Sequence, residues 1–377
     1  MAAACSAQAP AVIYNMAHAA IDERTLYIQG GSFDTLLHNR KLYALDLTQV
    51  NEDTSSSAWR VLDEGTDPRS PLSTSDHTMA VSKDKQNLMI VTSAGTISTF
   101  NIASSTWQEP TAVSQLSATM GPRQAVTDPS TGLVYIPGGF NSEANMAVYN
   151  PADRSVSTTI PLPSRAAGLS FYAAAWSTVR QSIVLYGGID TEDQYSNLIE
   201  YQPTNSKWVN LQTTGPSPGN ISSPCIVPAY DGTKFIVFGG ISTASFTALG
   251  GIYLLDAQNL TWTRGSDAET SQNRVGMACA VAGDYFIAWG GTNNAKTSLE
   301  PLIMYNLKTN TWEKQITESE RDRRRQTSRA ERRRRSAIIG GGVSAGIVTV
   351  AAIGFSIHKR QQLRRTSPNK EYLAGSI

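Results

Sequence analysis

The chain has 377 residues, 32 Lys and Arg against 31 Asp and Glu, and a formal net charge of +1. That balance hides a split: residues 1–316 hold 18 basic and 26 acidic residues, a net −8, and residues 317–377 carry +9. So acidic a first part argues against nucleic acid as its ligand, because phosphate binding needs a basic surface.

Residues 1–11 open with Met1-Ala-Ala-Ala-Cys-Ser-Ala-Gln-Ala-Pro10. They lack the basic start and the apolar stretch of roughly 7–15 residues that a complete secretory signal has. The small residues Ala4 to Ala9 resemble the end of such a signal. The expectation is a tail left from a signal peptide; the alternative is an ordinary flexible terminus.

From residue 12 a unit recurs. An apolar run ends in two glycines at Leu26-Tyr-Ile-Gln-Gly-Gly31, Leu133-Val-Tyr-Ile-Pro-Gly-Gly139, Ile183-Val-Leu-Tyr-Gly-Gly188, Phe235-Ile-Val-Phe-Gly-Gly240 and Tyr285-Phe-Ile-Ala-Trp-Gly-Gly291. A weaker copy, Leu88 to Gly95, fills the gap after the first. The last four copies are spaced by 49, 52 and 51 residues. Runs of this length, rich in β-branched and aromatic residues, read as buried strands. Glycine at the strand end permits a turn and a close backbone approach.

Each unit continues alike. A strand ends in an aromatic residue or Leu, and a Trp stands seven residues on: Phe100 and Trp107, Tyr201 and Trp208, Leu255 and Trp262, Tyr305 and Trp312. In the third copy Tyr149 leads to Val156, and in the first an insertion at 51–57 separates Tyr43 from Trp59. Each unit should also begin with a strand, over 16–21, 77–81, 124–127, 169–176, 221–228 and 275–281.

Five of the six copies keep Gly-Gly and five keep the Trp, a pattern that resembles the kelch repeat over residues 12–316. A period near ~50 residues agrees with it. The resemblance implies an all-β fold, a six-bladed kelch-type β-propeller with one four-stranded blade per repeat around a channel. How the ring closes, by pairing residues 11–15 into the last blade or otherwise, stays open.

An Arg precedes several of the first strands: Arg69, Arg123, Arg165 and Arg274. In related propellers the loops entering that strand surround the channel, so the four are candidates for a ligand-binding ring. The alternative, which has the greater weight, is that each Arg pins a neighbouring loop. The loops 141–145, 190–195 and 243–247 follow glycine pairs and vary in length, as binding loops on a repeat scaffold do.

A carbohydrate-active enzyme like galactose oxidase shares this propeller signal, and its copper site needs two Tyr, two His and a Cys. Only His18, His38 and His77 precede residue 316, and no two have metal-ligand spacing. His18 and His77 read as core or channel residues. No catalytic residue, metal site or cofactor is assigned. Cys225 and Cys279 fall in equivalent strands of adjacent repeats, and two small buried side chains are favoured over a disulfide. Asn220-Ile-Ser222 and Asn259-Leu-Thr261 are glycosylation acceptors in predicted loops.

The repeats end near Ile316. An Arg-rich linker follows at 317–336, then 21 uncharged residues at 337–357, from Ala337 to Ile357. At ~1.5 Å per residue that stretch spans ~30 Å, the thickness of a bilayer core, and predicts a single transmembrane α-helix. A short basic tail occupies 358–377. Nine Arg precede this segment and five basic residues follow it, a count that favours a cytoplasmic propeller. The resemblance to fungal membrane-anchored kelch proteins favours the opposite, a propeller outside, as do the acceptor sites; the balance falls on that side. The function that follows is a membrane-anchored, non-catalytic module binding an unidentified protein or glycan. The alternatives are a galactose-oxidase-like enzyme and a cytosol-facing membrane scaffold.

Overall fold

A computed structural model describes residues 10–313 apart from 34–37, 50–57, 72–76, 93, 118–123, 138–144, 164–165, 167–168, 190–197, 294–298 and 300. The chain divides into two units, Met1–Gln315 and Ile316–Ile377. The whole second unit lies outside the described residues, and with it the linker, the predicted membrane helix and the basic tail. Among the described residues no helix is long and apolar enough to cross a membrane.

The first unit is a six-bladed, all-β propeller. Each blade holds four antiparallel strands in sequence order, from Ala17–Ile21, Thr25–Gln29, Leu42–Asp46 and Trp59–Asp63 in blade one to Ala278–Ala282, Tyr285–Trp289, Leu302–Asn306 and Thr311–Glu313 in blade six; blade two adds a fifth, Thr111–Ser117, paired with its third strand Ala94–Asn101. The first strands are innermost: Ala17–Ile21, Thr78–Val81, Val126–Thr127, Ala173–Ser177, Cys225–Ala229 and Ala278–Ala282. Each touches the next around the axis, and the sixth touches the first.

The seven-residue spacing is the register of the outer hairpin. Phe100 lies opposite Trp107, Tyr201 opposite Trp208, Leu255 opposite Trp262 and Tyr305 opposite Trp312. Blade one differs from the expectation: Trp59 lies opposite Leu45, and Tyr43 faces Val61 across a register shift. Leu45 is therefore the equivalent residue. The indoles also reach backwards, Trp208 Nε1 donating to the Pro161 carbonyl at 3.1 Å and Trp312 Nε1 to the Ser266 carbonyl at 2.8 Å. Only a Trp combines that donor with an apolar body of this size.

Two strands depart from the sequence expectation. In blade five the expected strand 221–228 is broken. Ser223 takes φ 51°, and Ile221–Ser222 pairs with Ile241–Ser242 instead of joining the blade sheet. Pro224, which follows, has no N–H to offer a ladder. In blade two the weak copy is the strand Asn87–Val91 running into a tight turn, where Thr92 N–H donates to the Thr96 carbonyl at 2.9 Å and Gly95 takes φ 75°.

Among the described residues, ring closure uses no exchanged strand. Gly188 N–H donates to the Ile221 carbonyl at 3.0 Å, and Gly240 N–H to the Arg274 carbonyl at 3.1 Å. Each time the second glycine of a pair holds the chain entering the next blade. Gly291 N–H donates to the Ile13 carbonyl at 2.8 Å, so Ile13 takes that part for blade one. Asn15 N–H adds a bond to the Gly276 carbonyl at 2.8 Å.

Candidate functional site

The propeller has two faces. Among the described residues, the upper face carries the glycine pairs, the connections between blades and the loops from second to third strands. The lower face carries the hairpin turns. Those turns are linked around the rim: Lys85 pairs with Asp22, Thr178 Oγ1 donates to the Asp231 carbonyl at 2.6 Å, and Gly283 N–H donates to Glu23 at 2.9 Å.

The axis is a channel with two sections. The wide one, about 420 Å³, is walled by the first strands through small residues such as Ala80, Ala125, Ala174 and Ala280. The narrow one, about 80 Å³, sits where those strands start and includes His18, His77 and Gln124. His18 and Gln124 line both sections. Burial pushes both imidazoles down to about 4, against a weaker opposing bond to the Met16 carbonyl for His18 and to the Gln29 carbonyl for His77. Both are neutral at pH 7. His38 lies elsewhere, its Nδ1 2.8 Å from Ser32 Oγ. Among the described residues no group of three His, Cys, Asp or Glu could hold a metal ion.

A third cavity, about 230 Å³, opens on the upper face of blade five. Leu249, Gly250, Gly251, Tyr253, Arg264 and Asp267 form part of its wall. Arg264 binds Asp267 at 2.6 Å and lies over the Tyr253 ring, 5.6 Å from its centroid. The loop that supplies Leu249 also carries Phe246, 70% exposed at φ 54°. That loop is braced. Phe246 N–H donates to the Ser242 carbonyl at 2.8 Å, and Thr243 N–H and Oγ1 donate to the Asn220 carbonyl at 3.3 and 3.1 Å.

Of the four arginines, Arg123 and Arg165 lie outside the described residues, as do the loop residues 141–144 and 190–195. Arg69 makes a two-pronged contact with Asp67, at 2.9 and 2.7 Å. Arg274 is fully buried, with Nη1 donating to the Gly290 carbonyl at 3.2 Å and Nε to the Gln272 carbonyl at 3.1 Å. The two are not brought together, and neither lines the three cavities. Arg274 thus holds backbone carbonyls, whereas the Arg69 side chain pairs with a carboxylate two residues away.

Cys225 and Cys279 form a disulfide across 6.4 Å between Cα atoms. This corrects the expectation of two separate buried thiols: adjacent first strands bring the pair within bonding range. Asn220 and Asn259 are both exposed. Sequence reasoning missed Phe246, whose signal was an aromatic residue among Ser and Thr in a loop.

Residues 173–361, half of the chain, match the KLHDC2/KLHL20/DRC7 Kelch-repeats domain. The chain belongs to the Kelch-repeat family. The match begins at the first strand of blade four, Ala173–Ser177, and runs past the last described strand. No curated protein matches the sequence. A Kelch propeller is consistent with a non-catalytic binding module, and the loops and cavities above are the surfaces it offers.

Proposed function

We propose that this Kelch propeller is a non-catalytic module that holds a protein partner on the upper face of blade five, with Phe246 as its anchor. The observation that carries the reading is Phe246 itself. A large aromatic side chain stands 70% exposed on a braced loop, with its backbone at φ 54°. Left-handed backbone is costly for such a residue and tends to persist where function holds it. The same loop supplies Leu249 to a cavity that the Arg264–Asp267 pair and Tyr253 also line. Exposed aromatic anchors and nearby polar groups are what binding hot spots are built from.

The test is capture of binding proteins by the full-length chain and by Phe246→Ser. The variant should lose its partner at least tenfold with an unchanged melting temperature. Equal capture would move the binding surface elsewhere, and capture by immobilised glycans alone would replace a protein ligand with a carbohydrate.

Membrane anchoring through residues 337–357, with the propeller outside, belongs to the same proposal. The apolar stretch supports the anchor. The Cys225–Cys279 disulfide supports an oxidising compartment, because reducing compartments rarely keep such bonds. Exposure of Asn220 and Asn259 supports the same side. Carbonate extraction of full-length protein tests the anchor. An endoglycosidase mobility shift that Asn220→Gln plus Asn259→Gln abolishes tests the side. A shift-free protein accessible to cytosolic protease would make it a cytosol-facing scaffold.

A further inference from the structure

His77, which lines the narrow end of the channel, carries an acceptor that none of the described residues uses. His77 is 5% exposed, and its Nε2 lies 2.8 Å from the Gln29 carbonyl. A carbonyl only accepts, so Nε2 carries the hydrogen and Nδ1 is a bare lone pair. That Nδ1 is buried with no partner among the described residues. A buried acceptor without a donor is destabilising, because its lost hydration is not replaced. His18, on the same cavity, is bound to the Met16 carbonyl.

The wide section is chemically different. Ala80, Ala125, Ala174, Ala280, Val227 and Val281 belong to its wall, and it adjoins the histidines through His18 and Gln124. Small apolar side chains from every inner strand leave room for a slender molecule and offer it no polar partner. Along the alanine wall itself a charged molecule would find no counter-charge, at a high desolvation cost. Asp22, Glu23 and Asp231 line the same section from the hairpin turns.

We infer that the axial channel is a binding site for a slender, uncharged apolar molecule ending in a hydroxyl group, whose O–H donates to Nδ1 of His77 while its body lies along the alanine wall. Burial holds both imidazoles neutral at pH 7, so the acceptor is present under ordinary conditions. The site is distinct from the upper face of blade five and stands or falls separately from it.

The test uses the full chain with ¹⁵N-labelled histidine, and 4-propylphenol with its methyl ether, 4-propylanisole, as probes. His77→Phe assigns the bare Nδ1 resonance. The expected result is a saturable upfield shift of that resonance with the phenol and none with the ether. Ala20→Leu changes an exposed residue of the wide section and should abolish the shift while leaving the free spectrum unchanged. This variant keeps the test valid should His77→Phe fail to fold. Equal shifts with phenol and ether, no shift with the phenol, a free protein already protonated at Nδ1, or an unaltered response in Ala20→Leu would each overturn the inference.

Discussion

Trp289 of blade six lies 5.2 Å from Trp59 of blade one, ring centroid to ring centroid, across the seam where the propeller closes. The pair is one instance of a rule. The aromatic residue just before a glycine pair meets the Trp of the following blade: Tyr186 meets Trp262 at 5.2 Å, and Phe238 meets Trp312 at 5.1 Å. The closing seam thus uses the same contact as the internal ones. Trp59→Ala or Trp289→Ala should each cost about 3–5 kcal/mol, as large-to-small core changes do. The double variant should cost less than the sum, because both delete the same contact. Urea unfolding of the four proteins measures it; strict additivity would mean that the two rings are not coupled.

Gly290 should be intolerant of any side chain. It takes φ +68°, and an added Cβ would stand 2.5 Å from the Ile13 carbonyl. Gly219 makes the control: it takes φ +79°, but nothing lies within 4 Å of its added Cβ. Gly219→Ala should therefore cost only the conformational term, about 1 kcal/mol. Gly290→Ala should cost clearly more and speed hydrogen exchange at residues 13–15. Matching melting temperatures for the two variants would contradict this account of closure.

The disulfide joins residues 54 apart in sequence. Loop-closure entropy assigns a link of that span roughly 4 kcal/mol. Cys225→Ser plus Cys279→Ser should lower the melting temperature, and the intact protein should show the oxidised mass before reduction. A fully reduced mass in protein isolated under thiol-blocking conditions would exclude the bond.

Glu200 is fully buried and bound by Arg180 Nε and Nη2 at 2.6 and 2.9 Å, with Ser182 and Gln202 also donating to it. Burial opposes its charge, but these bonds together hold the carboxyl below the usual glutamate range. Its stabilising effect is full at neutral pH and fades as the pH falls through that lowered value. Arg180→Met leaves a buried carboxylate unpaired and should cost about 3–5 kcal/mol. Arg180→Met with Glu200→Met should recover much of the loss, as read by chemical denaturation.

The channel histidines set a second acid dependence, at higher pH. The unfolded chain takes up protons on both rings near pH 6.5, and the folded state resists until about pH 4. Stability is therefore full above pH 6.5 and falls across that window. For His77 the loss is on the order of 3 kcal/mol, at about 1.4 kcal/mol per unit. Denaturation midpoints from pH 7 to 4 should slope less in His77→Phe than in the parent.

Much of the fold is written in neighbouring residues. A glycine pair ends a strand, and a Trp seven residues after an aromatic is one hairpin's register, as Tyr201 and Trp208 show. Where an insertion intervened, local spacing failed, and Tyr43 stood in for Leu45. The arginines stood at repeated positions, yet the direction in which each side chain points depends on neighbouring loops. Arg274 turns to the Gly290 carbonyl.

The sequence alone determined the repeat, the number of blades and the outer hairpins, because those interactions form within about ten residues. Tertiary structure decided how Ile13 closes the ring, which cysteines meet, and that His77 keeps a buried acceptor beside the channel. These rest on groups from different blades. Their distances follow from how six sheets pack around an axis, and no single repeat carries that information.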